Sequence, residues 1–367
     1  MKIGVPKEIK DHESRVAMTP AGVRELVAQG HELTVQTNAG VGSGFDDAAY
    51  RDAGATIAPD ADAVFEAATL IVKVKEPQAV ECKRLRPHHV LFTYLHLAPD
   101  PEQARGLKES GATAIAYETV TDRAGRLPLL APMSEIAGRM SIQVGAVALQ
   151  NRDGGAGVLL GGVAGVLPAR VVILGGGVVG SQAARMAMGL GADVIVIDAS
   201  LPRLAELDAL WGPRLKTVFA TRDTSERLVR EADLVVGAVL VTGAAAPKLV
   251  RRGHLAAMRP GSVLVDVSID QGGCFETSRA TTHSDPTYIV DGIVHYCVAN
   301  MPGGVARTST LALTNATLRY VEQIAGLGWR GAVERDPGLR AGVNVFDGRI
   351  VHAAVAEALG ETVATLG

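Results

Sequence analysis

Gly175, Gly177 and Gly180 follow the apolar run VVIL and lead into SQAARMAMGL, a good helix former. A strand–turn–helix with G-x-G-x-x-G spacing suits one task. The first glycine permits a tight turn, the second lets the backbone approach a pyrophosphate, and the third lets the helix pack close to its strand. The helix N-terminus then presents free N–H groups and a positive dipole end to phosphate. Asp198 ends the next strand, DVIVID, about 20 residues on, where a carboxylate accepts from ribose hydroxyls and repels a 2′-phosphate. This pattern reads as a site for NAD in preference to NADP. Arg203, a cation close behind Asp198, weakens that preference.

Ligands of open α/β sheets bind beyond the carboxyl ends of strands, so polar residues there are the next candidates. Arg15 lies in the polar loop KDHESR after the first strand, Lys75 ends TLIVKVK, His96 lies near the end of VLFTYLHL, and Asp270 follows SVLVDVS. Each has a plainer reading on its own: a surface charge, a solvated strand lysine, a core histidine, a loop cap. Together they suit the oxidation of a small amino or hydroxy acid beside NAD. Arg15 can hold a carboxylate, Lys75 can polarise a keto oxygen, and His96 and Asp270 can move protons. No metal set stands out, since the nine histidines show neither HxH nor HExxH spacing. Glu322 reads as a solvated helix residue without a partner.

These residues must be carried by two sheets. KIGVP, ELTVQT, TLIVKVK, VLFTYLHL and TAIAYET read as strands, separated by helical stretches such as PAGVRELVAQ, DADAVFEAA and PEQARGLKES. Such alternation implies a doubly wound, parallel α/β sheet. Thr19-Pro20 and Asp100-Pro101 mark helix starts. PMSEIAGRMSIQVGAVALQ reads as one long helix, after which VVIL, DVIVID, LKTVFA, LVVGAVL and SVLVDVS form a second sheet. The roughly 60 residues from Arg307 onward, including the helix STLALTNATLRYVEQIAG, are too few to bury a core alone. The expected organisation is therefore discontinuous. Residues 1–129 and 307–367 form a substrate domain of Rossmann-like architecture, into which an NAD-binding Rossmann domain, residues 130–306, is inserted.

Composition narrows the class. The 367 residues are 47% hydrophobic and 20% charged, with net charge −3, which excludes a basic nucleic-acid surface or a polybasic membrane tract. Three cysteines without metal or CxxC spacing, and an N-terminus without an apolar signal region, point to a soluble, cytoplasmic protein.

Long stretches carry a resemblance: GVPKEIKDHESRVAMTPAGV, LIVKVKEP, LFTYLHLA, SEIAGRMSIQVGA, VDVSIDQGGCFETSRATTHSDPTY and HYCVANMPGGVARTSTLALTNATL. The chain resembles the L-alanine dehydrogenases over essentially its whole length, a family that shares its architecture with the NAD-binding subunit of proton-translocating transhydrogenases. The resemblance implies reversible NAD-dependent conversion of L-alanine to pyruvate and ammonia. Arg15 and Lys75 are the implied substrate pair, and His96 and Asp270 the implied acid/base residues. It aligns Ser134, Val178, Val179, Asp198, Val239, Leu240, Val267, Ser268, Ile269, Asp270, Arg279, Val298, Ala299, Asn300 and Met301 with NAD contacts, beside which Arg203 reads from its position as a further cofactor-side residue. Position 220, often Ser in the family, is Ala220, and Gly304 and Ala306 stand where Ala and Pro are common. A homo-oligomer, commonly a hexamer, is implied as well. Two other functions remain open: a transhydrogenase-type NAD(H) subunit, against which the retained Arg15, Lys75 and His96 and the lack of a membrane-facing extension argue, and a dehydrogenase for another amino acid. Amination of glyoxylate is an expected side activity.

Overall fold

The computed structural model describes residues 1–239 and 246–366. The chain divides into two compact units, Met1–Met133 with Val305–Gly367, and Ser134–Gly304. Its strands in chain order are β1 (Lys2–Val5), β2 (Glu32–Gln36), β3 (Thr56–Ala58), β4 (Leu70–Val72), β5 (Val90–Thr93), β6 (Thr113–Ala116), β7 (Arg170–Leu174), β8 (Asp193–Asp198), β9 (Lys216–Phe219), β10 (Leu234–Gly237), β11 (Val263–Asp266), β12 (Thr287–Val290), β13 (Ile293–Tyr296), β14 (Val343–Phe346) and β15 (Arg349–Ile350).

The first unit holds an eight-stranded sheet in the order β15-β14-β6-β5-β4-β1-β2-β3. Strands β1 to β6 pair in parallel, and the C-terminal segment adds β14 antiparallel to β6. Central strands such as LIV and VLFT are buried at every position, as a sheet covered on both faces requires. Phe65, Ile71, Leu91, Leu95 and Leu107 share one core cluster with Val345 and Ile350 of the late strands. The marked helix starts form: Thr19 accepts from the Gly22 amide and Asp100 from the Gln103 amide, each followed by proline. The strand order reverses between β1 and β4. The loops after these two strands, which carry Arg15 and Lys75, therefore flank a topological switch point.

The second unit holds a seven-stranded sheet in the order β12-β13-β11-β10-β7-β8-β9, parallel except for β12. Val172, Leu174, Ile197, Val235, Leu264 and Phe275 lie in its core. Its order reverses between β7 and β10, and the glycine turn follows β7. The architecture is the α/β, doubly wound pair of sheets that the alternation implied.

Several boundaries differ from the sequence reading. Regular pairing in TLIVKVK ends at Val72, because the Val74 amide donates to Glu8 Oε1 (2.7 Å). SVLVDVS leaves the sheet at Asp266 and tightens into a 3-10 turn, Val267–Gln271. The late helix runs over Ala306–Arg335, beyond the expected stretch at both ends, with a break at Gly328 (φ 71, ψ 157). The short strand β3 and the hairpins β12–β13 and β14–β15 escaped notice, being too brief to establish an alternation. Glu322 does have a partner, accepting from Gln29 Nε2 at 2.8 Å. No described helix is long and apolar enough to cross a membrane.

Candidate active site

In the first unit, Arg15 follows β1 and is 2% exposed. Glu13, two residues before it, holds one edge of its guanidinium. Glu13 Oε1 accepts from Arg15 Nε (2.7 Å) and from the Arg15 amide (3.0 Å), while Oε2 takes Nη2. Arg15 Nη1 meets Met133 Sδ at 3.1 Å. Burial disfavours the Arg15 charge, but Glu13 outweighs it and holds the pKa above its ordinary value. The Nε–Nη2 edge of the Arg15 guanidinium is thus engaged by Glu13. A cavity of about 270 Å³ lies beside Arg15, lined also by Glu8, Glu13, Asn38 and Gly42.

Lys75 is buried, and its Nζ lies 3.2 Å from Glu76 Oε2. Glu76 also pairs with Lys10. Burial alone would raise the Glu76 carboxyl, but Lys75, Lys10 and His96 together bring it down to about 2. His96 is exposed and adopts φ 49, a left-handed conformation that a residue with a Cβ rarely holds unaided. Glu118 supplies the restraint: its carboxylate accepts the Leu95 amide (3.2 Å) and the His96 amide (2.6 Å). The His96 ring stacks on Tyr94 at 5.7 Å, and the Tyr94 hydroxyl donates to Leu129 O at 2.5 Å. Tyr94 also feels the Arg15 charge, and Glu76 those of Lys75 and His96, so Arg15, Lys75 and His96 belong to one cluster. Beneath it, Lys73 is fully buried between Glu8 Oε2 (3.0 Å) and Glu81 Oε1 (2.7 Å).

In the second unit, the glycine turn has the shape a pyrophosphate requires. Gly175 has φ 99, and a Cβ on Gly180 would stand 1.8 Å from Gly175 O, so neither position tolerates another residue. Gly177 caps the helix Val178–Gly189 without a side-chain bond, and a Cβ there would meet nothing within 4 Å. The first helical amides thus face an open cradle, and the residues fit a dinucleotide phosphate. Asp198 Oδ2 accepts the Gly176 amide (2.6 Å) and Oδ1 the Ser200 amide (2.8 Å), so the carboxylate buttresses the turn. Arg203 donates to Gly176 O (2.7 Å) and Ser181 Oγ (2.6 Å) and pairs with Glu206; it is tied to the turn as a brace.

The remaining aligned residues vary in exposure. Val178 is exposed and Val179 partly so. Ala220, half-buried, lines a cavity of about 430 Å³ with Arg222, Lys248 and Leu249. Val239 O accepts Ser268 Oγ (2.7 Å), and Leu240 lies outside the described residues. Val267 is half-buried, Ser268 and Ile269 are buried, and Asp270 is exposed at the end of this turn. Arg279 lies over the Tyr288 ring at 4.0 Å. Val298 and Met301 are core side chains, which leaves them their backbone to offer; Ala299 and Asn300 between them are less enclosed. Ser134 is half-buried in the helix Ala131–Ala148.

The sequence reading passed over Glu13, Glu118, Lys73, Glu8 and Glu81. The available signal was a second lysine, Lys73, inside an apolar strand segment, since a buried ammonium demands partners.

Comparison with known proteins accords with this arrangement. Residues 4–137 match the family "Alanine dehydrogenase/PNT, N-terminal domain" and residues 141–353 match "Alanine dehydrogenase/PNT, C-terminal domain". The chain is 61% identical over 360 residues to an alanine dehydrogenase of Halomonas elongata, covering 98% of this chain and 97% of the relative. A solved L-alanine dehydrogenase superposes with TM-score 0.95 at 50% identity, covering 98% of this chain and 99% of the other. A transhydrogenase structure from Sinorhizobium meliloti is more distant, with TM-score 0.81 at 26% identity, covering 96% of this chain and 100% of the other. With two matched domains that take in nearly all of its length, and a dinucleotide turn and a cationic cluster each at a switch point, the chain belongs to the alanine dehydrogenase/PNT family.

Proposed function

We propose that this protein catalyses the reversible NAD-dependent oxidative deamination of L-alanine to pyruvate and ammonia. The observation that carries the proposal is the clustering of Arg15, Lys75 and His96 at the carboxyl ends of β1, β4 and β5, in a chain similar over its full length to alanine dehydrogenases. The unit Met1–Met133 with Val305–Gly367 is the substrate domain in this reading, and Ser134–Gly304 is the NAD domain.

When bound, NAD supplies the hydride acceptor, which no protein side chain can provide. Gly175 to Gly180 and the helix they cap would hold its pyrophosphate, and Asp198 its adenosine ribose. Arg15, kept charged and oriented by Glu13, receives the substrate carboxylate. Lys75, steadied by Glu76, donates to the oxygen that becomes the pyruvate carbonyl. Loss of hydride from Cα of neutral alanine leaves iminopyruvate. His96, fixed by Glu118 and Tyr94, or Asp270 then takes a proton from the water that attacks the imine carbon. That proton returns to the amino nitrogen as the C–N bond breaks and ammonia leaves, and the hydroxyl proton passes to the same base as the pyruvate carbonyl forms.

The assay is direct. Alanine and NAD should give NADH and pyruvate with no partner protein present. Failure with alanine, alongside hydride exchange with an NADP-bound partner protein, would replace this reading by that of a transhydrogenase-type subunit. A panel of amino acids and glyoxylate reads the pocket's side-chain selectivity.

The same reading makes the protein a cytoplasmic homohexamer. Its three cysteines are all free and buried, as suits a reducing compartment. Leu159, Val163, Val166 and Leu167 are 60–89% exposed within one short segment, an apolar surface that a second copy would cover. Light scattering should give six times the chain mass.

A further inference from the structure

The Asp266 carboxylate, at the end of β11, is 0% exposed and gathers donors from three stretches of chain. Oδ1 accepts the Ser268 amide at 3.0 Å and lies 3.6 Å from Cys274 Sγ. Oδ2 accepts the Cys274 amide (2.9 Å), the Phe275 amide (3.3 Å) and the Ser278 hydroxyl. All of these donors are neutral. Burial raises the Asp266 pKa, and the hydrogen bonds oppose that rise.

The wiring has a direction. Ser268, held through its amide by Asp266, donates its hydroxyl to Val239 O, tying the 3-10 turn after β11 to the segment that follows β10. Cys274 and Phe275 are drawn back against the start of the same excursion, which leaves Asp270 exposed on the segment between. Ser278 precedes Arg279. A side chain on Gly273 would meet Asp266 Oδ2 at 2.6 Å, so the carboxylate sits tightly inside the loop it organises.

We infer that Asp266 is a positioning residue for cofactor binding: its carboxylate holds Val239, Val267 to Asp270 and Arg279 in the arrangement that receives NAD. The inference rests on the reading of these residues as NAD contacts. Asp266 itself, with every oxygen turned to the loop's own donors, makes no contact with ligand. Its effect is pre-organisation, which lowers the ordering needed on binding.

Asp266→Asn tests it. The amide keeps the volume but turns an NH2 towards donors in either orientation. In the cofactor-free protein, hydrogen exchange at the Ser268, Cys274 and Phe275 amides should accelerate. The NADH dissociation constant and the KM for NAD should rise about tenfold, the size expected for losing a charge-assisted bond. The KM for alanine at saturating NAD should stay within about twofold, a split that general destabilisation would not produce. Unchanged exchange at these amides would overturn the positioning role. Faster exchange with an unchanged NADH dissociation constant would show the loop to be no part of the cofactor site, overturning the underlying reading. If Asp266→Asn does not fold, Ser278→Ala removes a single donor. It should weaken NADH binding severalfold and speed exchange at Cys274 and Phe275; no change in both would refute the inference.

Discussion

Replacing Lys73 by methionine keeps the length of a fully buried side chain and removes the charge that two carboxylates share. Lys73 Nζ lies 3.0 Å from Glu8 Oε2 and 2.7 Å from Glu81 Oε1, and both acid side chains are 2% exposed. Burial already pushes the Glu8 pKa up although Lys73 pulls it down. Without Lys73, the easiest relief is for a carboxyl to take a proton. Near pH 7, protonating a group of ordinary pKa about 4.3 costs about 3.7 kcal/mol, at about 1.4 kcal/mol per pH unit. Removal of one partner from a buried ion pair costs about 3–5 kcal/mol by general experience, so the two routes agree on about 4 kcal/mol. The pH dependence has a definite sign. A carboxyl whose folded pKa lies above its unfolded value binds its proton preferentially in the folded state, so stability falls as pH rises between the two values. The deficit of Lys73→Met should therefore shrink by about 1.4 kcal/mol per unit from pH 7 towards pH 5. The chain's two tryptophans, Trp211 and Trp329, fall one in each unit. In a Trp211→Phe background, urea unfolding followed by Trp329 fluorescence therefore reads the unit that contains Lys73. A deficit below about 1 kcal/mol, or one equal at both pH values, would refute the reasoning. Adding Glu8→Gln and Glu81→Gln to Lys73→Met should restore much of the loss, because no charge is then left unpaired.

Four further outcomes follow from the site. His96→Ala should lower kcat by at least about a hundredfold while NADH affinity, measured by fluorescence titration, stays within about twofold. Glu118→Gln should lower kcat less, since it loosens the His96 turn without removing the ring. Asp198→Ala should reduce the preference for NAD over NADP about tenfold in kcat/KM and also weaken NADH itself, because the Gly176 amide loses its acceptor. Undiminished discrimination would leave Asp198 only its buttressing role. Glu76, held at about 2 by Lys75, Lys10 and His96 against its burial, contributes stability that is present above its unfolded pKa and lost as pH falls towards 2. Lys10→Met should therefore destabilise the protein near neutral pH, with the difference from wild type closing below about pH 4 in urea midpoints.

The sequence made the frame legible where a local pattern determines a local structure. Glycine spacing, helix caps with proline and long apolar strands each depend on neighbours in the chain, and Gly175 to Gly180, Thr19 and Asp100 all do what their spacing implies. The residues that went unread depend on partners brought in by the fold. Lys73 and Lys75 stand two positions apart in one segment, yet Lys73 is sealed between Glu8 and Glu81 while Lys75 meets Glu76 at the margin of the cluster. Nothing in IVKVKEP alone separates them. The distinction arises because the loop after β1 delivers Glu8 to the same switch point at which β4 ends, and because the helix Ala79–Cys82 turns Glu81 back beneath it. The same holds for the pairs that modify the expected roles. Arg15 was readable as a cation in the loop after β1, but the fork taken by Glu13 was not, although Glu13 is only two residues away. Position in sequence told that both charges lie in one loop; only the buried geometry makes the acid a permanent partner that aims the base.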